Sequence, residues 1–235
     1  MSRLIAYELR KLFDTRSSIV TMLVCIVAAV GLGALGLLVQ EGGVLDLSQT
    51  AAAAVLPFAI IAPVLSAIAA ASDWRTQAIQ QTLFVESRRD RIFRAKIAAS
   101  LIGVLGISGV AIVLAVAAGL TVGLSREQPM VLGGFWAMVW GVVALVVPGC
   151  LFGFAIGAVA LSPPVAVAVV LFVELVFDLA LAVVPDGGGR YFASASFPNW
   201  MASGADPLAA VTSAALWIVV PGAVGFLRYL RKESS

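Results

Sequence analysis

Long apolar stretches alternate with short polar ones along this chain, and the alternation predicts six membrane-spanning helices. Each apolar stretch has at least the ~20 residues that a helix needs to cross a hydrocarbon layer of about 30 Å. The predicted spans cover approximately residues 19–39, 50–72, 97–124, 133–160, 165–184 and 208–227. We therefore expect an all-α integral membrane protein, a single transmembrane domain over residues 1–235.

Residues 1–18 precede the first span and are too polar to cross the membrane. At 100° per residue, one arc carries apolar side chains and the opposite arc carries polar ones, including Arg10 and Lys11. This pattern predicts an amphipathic helix in the headgroup plane, with its basic edge toward anionic lipid. Glu8 lies at the margin of the apolar arc. The helix is either an ordinary lipid-surface anchor, or Glu8 pairs with a basic group of the polar segment 73–96.

Three local features refine the predicted spans. Pro57 and Pro63 interrupt the second span and predict a bend, because proline cannot donate its part of the helical hydrogen-bond ladder. Trp136 and Trp140 stand near the start of the fourth span, where indole rings anchor a helix at the membrane interface. The stretch 185–207 is too apolar for a free loop and predicts short interfacial or re-entrant helices.

The basic residues are distributed unevenly between the two predicted sides. With six spans, thirteen of the fifteen Lys and Arg residues fall on the side that holds both termini and the polar segment 73–96. The opposite side holds Arg126 and Arg190. Because cytoplasmic loops of membrane proteins are enriched in Lys and Arg, both termini and the polar segment are predicted to be cytoplasmic.

Two acidic residues, Glu174 and Asp178, lie inside the fifth predicted span. They are four residues apart and therefore occupy one face of a helix. Acids at this depth usually face the interior of a helix bundle or a watery cavity, because their exposure to lipid is costly. They either line a substrate path or a subunit interface, or make structural hydrogen bonds.

Composition and residue types narrow the function classes. The chain is 61% hydrophobic and 12% charged with a mean hydropathy of +1.06, and its net charge of +2 gives no indication of nucleic-acid binding. It contains no histidine, which removes catalysis and metal ligation by imidazole, and no Walker-type phosphate loop. Cys25 and Cys150 lie in apolar runs and are expected to be buried small hydrophobes. An enzyme is the weakest hypothesis.

The order of parts resembles the transmembrane permease subunit of bacterial type-2 ABC transporters, many of which are exporters. Two segments carry the resemblance. The first is Glu8-Leu9-Arg10-Lys11-Leu12 with Thr15-Arg16, and the second is residues 82–91, TLFVESRRDR, with Ala95-Lys96 opening the third span. The chain departs from the family pattern at Gln77-Ala78, where a Gly-Thr pair is usual, and at Ser87, where proline is common.

The resemblance implies a cytoplasmic coupling helix in the 73–96 segment, between spans two and three, that sits in a groove of a separate ATPase subunit. Ile79, Leu83 and Phe84 form an apolar stripe at helical spacing, suited to such a groove. Arg88, Arg89 and Arg91 would then form ion pairs with acidic groups around the groove. Alternatively, these arginines fix topology and bind lipid, and the stripe has no partner.

The same resemblance implies the partners and the location. The chain would work in the bacterial cytoplasmic membrane with an ABC ATPase dimer and a second permease, either another copy or a related chain. ATP and magnesium would bind the ATPase, so no cofactor is expected on this chain. The cargo would be a drug, an antimicrobial peptide or a lipid-like compound. A different class, a six-span substrate-binding or secondary transport subunit, remains the alternative.

Overall fold

The computed structural model describes residues 2–13, 16–40, 44–75 and 89–231. The protein is all-α and about 87% helical. The predicted class is therefore confirmed at the level of an apolar helical bundle compatible with a multi-pass membrane protein.

The described helices account for most of the described residues. In chain order they are α1 Ser2–Phe13, α2 Arg16–Val39, α3 Leu47–Val55, α4 Phe58–Arg75, α5 Arg89–Ser125, α6 Phe135–Ala160, α7 Pro163–Phe172, α8 Asp178–Ala182, α9 Ser196–Ser203, α10 Pro207–Ala214 and α11 Val220–Arg231. One π-helical turn, π1 (Val173–Phe177), joins α7 to α8, and a second, π2 (Ala215–Val219), joins α10 to α11. A 3-10 helix covers Pro185–Tyr191. Two short strands, β1 (Leu45–Asp46) and β2 (Met130–Val131), pair in parallel.

Four helical segments in the described part of the chain are long and apolar enough to cross a membrane. They are Asp90–Ser125, Phe135–Ala160, Pro163–Ala182 and Pro207–Leu230. A fifth span results if the bent pair α3–α4 is counted as one. In α2 the described apolar stretch, Met22–Leu37, is shorter than these. The structure therefore gives four or five candidate spans, and the sixth stays a prediction.

The bend predicted in the second span is confirmed, and Pro57 marks it. The axes of α3 and α4 differ by 40° across a break at Leu56 and Pro57. Pro63 behaves differently, because it lies inside α4 without ending it and is fully buried. Its ring packs against Gly149 of α6, so the position without an N–H faces protein rather than lipid.

A row of glycines on α6 lets that helix contact α4 closely. Gly149, Gly153 and Gly157 are spaced four residues apart and lie on one face. A Cβ atom at Gly153 would overlap the carbonyl group of Pro63, and one at Gly157 would overlap the backbone of Ala67. Small residues at this spacing allow helix backbones to approach within van der Waals contact, which stabilises helix pairs in membranes. We call this contact the glycine seam.

Buried hydroxyl groups add a polar link between α4, α5 and α6. The Oγ of Ser66 donates to the carbonyl of Cys150 at 2.7 Å and lies 2.7 Å from the Oγ of Ser100. Since Ser66 has one hydroxyl proton, Ser100 is the donor in the second bond. Cys150 is almost fully buried and Cys25 is buried too, as predicted for both cysteines.

At one end of the bundle, four helices meet in a group of buried side chains that we call the aromatic cluster. Its members are Ala70 of α4, Ile92 and Phe93 of α5, Phe154 and Ala158 of α6, and Tyr229 of α11. The Phe93 ring contacts the Phe154 ring edge-on at a centroid distance of 5.2 Å. Leu4 of α1 packs on the cluster, and Arg228 donates to the carbonyl of Val159 near the end of α6. The helix ends are thereby held together.

At the opposite end, the β1–β2 pair joins the loop before α3 to the loop before α6. The N–H of Leu45 donates to the carbonyl of Pro129 at 2.9 Å. Asp46 caps α3 by accepting from the N–H and the hydroxyl of Ser48, at 2.9 and 2.7 Å. The Ser48 hydroxyl, followed by nearby backbone N–H groups, holds the pKa of the Asp46 carboxyl below its usual value.

Candidate functional site

The residues predicted for ATPase coupling fall mostly outside the described part of the chain. Ile79, Leu83, Phe84 and Arg88 belong to residues 76–88, which the structure does not describe. Arg89 begins α5, but its side chain is also outside the description, and Arg91, two residues further along, is exposed. The coupling helix therefore stays a prediction. The structure does describe the two helix ends between which it would lie, α4 at Arg75 and α5 at Arg89.

The N-terminal helix α1 is anchored next to this segment by a buried ion pair. Glu8 is 5% exposed and Lys96 is 4% exposed, and the Lys96 Nζ lies 3.5 Å from Glu8 Oε2. Lys96 closes the polar segment, so the structure contains the pairing that was one of the two alternatives for Glu8. Buried ions need such a partner, because leaving water costs each of them several kcal/mol.

Two basic residues, Arg10 and Lys11, follow Glu8 in α1. Arg10 is exposed and Lys11 is half-buried in the last turn of α1. Basic groups at this position interact favourably with the carbonyl end of their helix, as well as with any anionic surface nearby. The helical conformation predicted for residues in 1–18 is confirmed over Ser2–Phe13, and its placement in the headgroup plane stays a prediction.

A cavity of about 280 Å³ lies between α4, α6 and the helices that contain π1 and π2. It brings together both acids predicted in the fifth span, Glu174 and Asp178, with Ser213, Trp217 and Asn199. The rest of the wall is mainly apolar, from residues of α4 and α6 such as Ala59 and Phe152 (further lining residues are Ile60, Leu145, Pro148, Gly149, Leu175 and Ile218).

The two π-helical turns lie on either side of this cavity. Glu174 belongs to π1 and Trp217 to π2. The Trp217 ring contacts Phe177 of π1 edge-on at 5.7 Å and Phe152 of α6 at 5.8 Å. A π turn places one additional residue in a helix and shifts the side chains around it, and such turns often occur at functional sites. Here they bring a carboxylate and an indole ring into the wall of one cavity.

The two acids have different surroundings although they are one turn apart. Asp178 accepts three hydrogen bonds from the loop that follows α8: from the N–H of Ser194 at 2.9 Å, from its hydroxyl at 2.7 Å, and from the N–H of Ala195 at 3.2 Å. For Glu174, the Oε2 atom is buried and has no hydrogen-bond partner in the described structure. Asp178 is thus engaged structurally, whereas Glu174 presents an unsatisfied carboxylate oxygen at the cavity.

The loop between α8 and α10 forms one side of the cavity and is fixed at several points. The Nε1 of Trp217 donates to the carbonyl of Phe192 at 2.7 Å, and the hydroxyl of Ser213 donates to the carbonyl of Ser194 at 3.3 Å. Arg190 pairs with Asp206 at 2.9 Å on the exposed side of the loop. The short helices predicted here are confirmed as a 3-10 helix and α9.

The aromatic residues near the start of α6 contribute to the same end of the bundle. Trp140 is half exposed, and its Nε1 donates to the carbonyl of Met201 at the end of α9 at 2.6 Å. Trp136 is 78% exposed and is available for the interfacial role predicted for it. Trp140 therefore connects α6 to the segment between α8 and α10.

Sequence reasoning did not identify Ser213 and Trp217 as site residues. Trp217 lies in the middle of the sixth predicted span, where an aromatic residue reads as packing, and Ser213 is a single small hydroxyl. One sequence signal was available, because an indole N–H buried in an apolar span requires an acceptor. That signal predicts an irregular backbone nearby, which the carbonyl of Phe192 provides.

A second cleft of about 430 Å³ lies between α3 and the start of α6. Its described lining contains Ser48 and Gln49 as polar residues and carries no charged side chain. Among the residues that the structure describes, no three Cys, Asp or Glu side chains come together in a way that could hold a metal ion.

Comparisons with known proteins assign no family to this chain. A scan against protein-family models finds no matching family, and a search of curated proteins finds no significant match.

Proposed function

We propose that this chain is the membrane-spanning permease subunit of an ATP-driven ABC transporter of type 2, and that it works as an exporter. In this proposal it has six spans, with both termini in the cytoplasm of a bacterial cell, and assembles with a second permease and an ATPase dimer. ATP and magnesium are bound by the ATPase. The cargo class is a drug, an antimicrobial peptide or a lipid-like compound.

The arrangement around the aromatic cluster is the observation that most supports this function. The polar segment leaves α4 after Arg75 and returns to α5 at Arg89, and the cluster packs both helix ends together through Ala70 and Phe93. The Glu8–Lys96 pair attaches α1 to the same place. A partner protein bound to the polar segment would therefore act on a joined set of helix ends rather than on one flexible loop.

Helix α4 connects this end to the cavity. Ala59, near the start of α4, lines the cavity, and Ala70, near its end, belongs to the aromatic cluster. The two residues are eleven apart, which is roughly 16 Å at 1.5 Å per residue. Because the glycine seam holds α4 against α6 over this distance, a displacement of the polar segment would reach the cavity as a movement of a rigid pair.

The test is co-purification of the ATPase with variants of the apolar stripe. Replacing Leu83 and Phe84 by glutamate places two charges where an apolar contact is proposed, so we expect loss of the bound ATPase and of transport. Gln81 and Val85 fall on the opposite side of a helix with this stripe, so their replacement by glutamate is the matched control. Equal ATPase yield from the wild-type chain and the Leu83/Phe84 variant would overturn the proposed contact.

A further inference from the structure

The cavity beside Glu174 has a chemistry that indicates its ligand. We propose that it binds the ammonium group of an amphiphilic amine, with the Glu174 carboxylate as counter-ion and the Trp217 ring beside it. The proposal names a substrate class for the site and rests on the proposed transport function for its biological role. Binding itself depends on the described residues alone.

The charged groups that line the cavity favour a cationic ligand. The described lining includes the carboxyl groups of Glu174 and Asp178 and no Lys or Arg. Asp178 is engaged by the loop through three hydrogen bonds, whereas Glu174 Oε2 is buried and has no partner among the residues that the structure describes. A buried polar oxygen that lacks a partner costs free energy, and a buried carboxylate costs more. A ligand that brings a positive charge into the cavity removes this cost, and a neutral apolar ligand does not.

The aromatic wall is the second argument. Trp217 is held in place because its Nε1 donates to the carbonyl of Phe192 and its ring packs edge-on against Phe152 and Phe177. Both Trp217 and Phe152 line the cavity. Cations are attracted to the faces of aromatic rings, tryptophan most strongly, and aromatic residues are the usual partners of quaternary ammonium groups. An indole that is already fixed loses little conformational freedom when such a ligand binds.

The remaining wall and the rim define the rest of the ligand. Most other lining side chains are apolar, so the ligand is expected to be an amphiphile with an apolar body attached to the ammonium group. Ile60 and Leu175 line the cavity and are 41% and 50% exposed on the outer surface of the bundle. The cavity is therefore accessible from the lipid side, and the ammonium group could belong to a dissolved amine or to a lipid headgroup.

The experiment measures binding of benzyltrimethylammonium to the purified full-length chain in nanodiscs of phosphatidylglycerol. Neopentylbenzene, its uncharged isostere, is measured in parallel, so that apolar partitioning is separated from charge recognition. We expect Glu174→Gln to weaken binding of the cation at least tenfold and to leave the isostere unchanged. Glu174→Asp retains the carboxylate and is expected to keep the preference for the cation. Gln49→Ala, in the second cleft, is the control and is expected to leave the binding of both compounds unchanged.

Two results would overturn the ammonium site: equal cation binding by the wild-type chain and Glu174→Gln, or equal affinity for the cation and its neutral isostere. Nanodiscs that contain phosphatidylcholine identify the source of the group. A weaker apparent affinity there assigns the site to a lipid headgroup, and an unchanged one assigns it to a dissolved amine. The ATPase plays no part in this measurement. Amine binding without ATPase co-purification would therefore count against the proposed function and retain the site.

Discussion

The half of the bundle formed by α4 and α6 is packed differently from the half that contains π1 and π2. In the most apolar stretch of α6, 56% of the residues are buried, compared with 17% in each of the spans that contain π1 and π2. Helices α4 and α6 meet backbone to backbone at the glycine seam, while the helices around π1 and π2 leave a cavity of about 280 Å³. One half is thus a closed contact, and the other half has room for a ligand.

Residue types account for the difference. At the seam the glycines of α6 face Ala62, Pro63 and Ala67 of α4, and such small residues bring helices together without cavities. The open half has Asp178 and Trp217, which require polar partners and find them in the loop between α8 and α10, and Glu174, whose Oε2 has none among the described residues. Meeting these requirements favours π turns and a folded-back loop over close helix packing.

The largest expected loss of stability follows from breaking the ion pair between Glu8 of α1 and Lys96 of α5. Glu8→Leu removes a carboxylate that pairs with Lys96 in a buried position. Removing one partner of a buried pair costs about 3–5 kcal/mol, because the other charge remains out of water. A large fall in the thermal unfolding midpoint in detergent is therefore expected.

The double variant Glu8→Leu with Lys96→Met separates charge from packing. It replaces both ions by apolar side chains, and a well-packed apolar replacement is often neutral. Most of the lost stability should return. A double variant as unstable as Glu8→Leu alone would show that the pair is not the source of the effect.

The glycine seam gives the next largest effect. Gly153→Ala adds a Cβ atom that overlaps the carbonyl of Pro63, so α4 and α6 must separate. Overpacking of this kind costs about 1–3 kcal/mol, and a rigid backbone neighbour favours the upper end of that range. The control is Gly141→Ala on the same helix, where the added atom meets nothing within 4 Å. If both variants unfold at the same temperature, the seam does not hold the closed half together.

A smaller and local effect is expected in the open half. Asp178→Asn removes the charge that accepts from Ser194 and Ala195. Hydrogen bonds to charged groups contribute about 1.5–3 kcal/mol, so the loop should open more often. Hydrogen exchange should rise at the amides of the loop and stay unchanged across the glycine seam. Asp186→Asn, an exposed substitution in the same loop, is the control. Uniform exchange changes over the whole bundle would contradict the independence of the two halves.

Several elements of the fold could be predicted because they depend on local chemistry. Pro57 and Pro63 predicted a bend, which the structure has at Pro57, and the apolar character of 185–207 predicted short helices rather than a free loop. The spacing of Gly149, Gly153 and Gly157 is visible in the sequence, but the sequence does not indicate which helix this face contacts. Which helix a small-residue face contacts depends on tertiary packing.

The candidate site was only partly predictable for a similar reason. Glu174 and Asp178 stand out as acids in an apolar span, and both line the cavity. Their spacing does not indicate that their surroundings differ. The difference arises because Asp178 accepts a hydrogen bond from Ser194, which lies sixteen residues after it in the chain. The contribution of Trp217 likewise depends on the carbonyl of Phe192, whose position results from the fold of that loop.

Mass spectrometry of the intact complex, isolated from its native membrane through a tag on this chain, tests the proposed function most directly. We expect two copies of an ABC ATPase for every two permease chains, and ATP hydrolysis by the isolated complex. A chain that purifies without any ATPase, from membranes in which it is expressed and folded, would contradict the proposal.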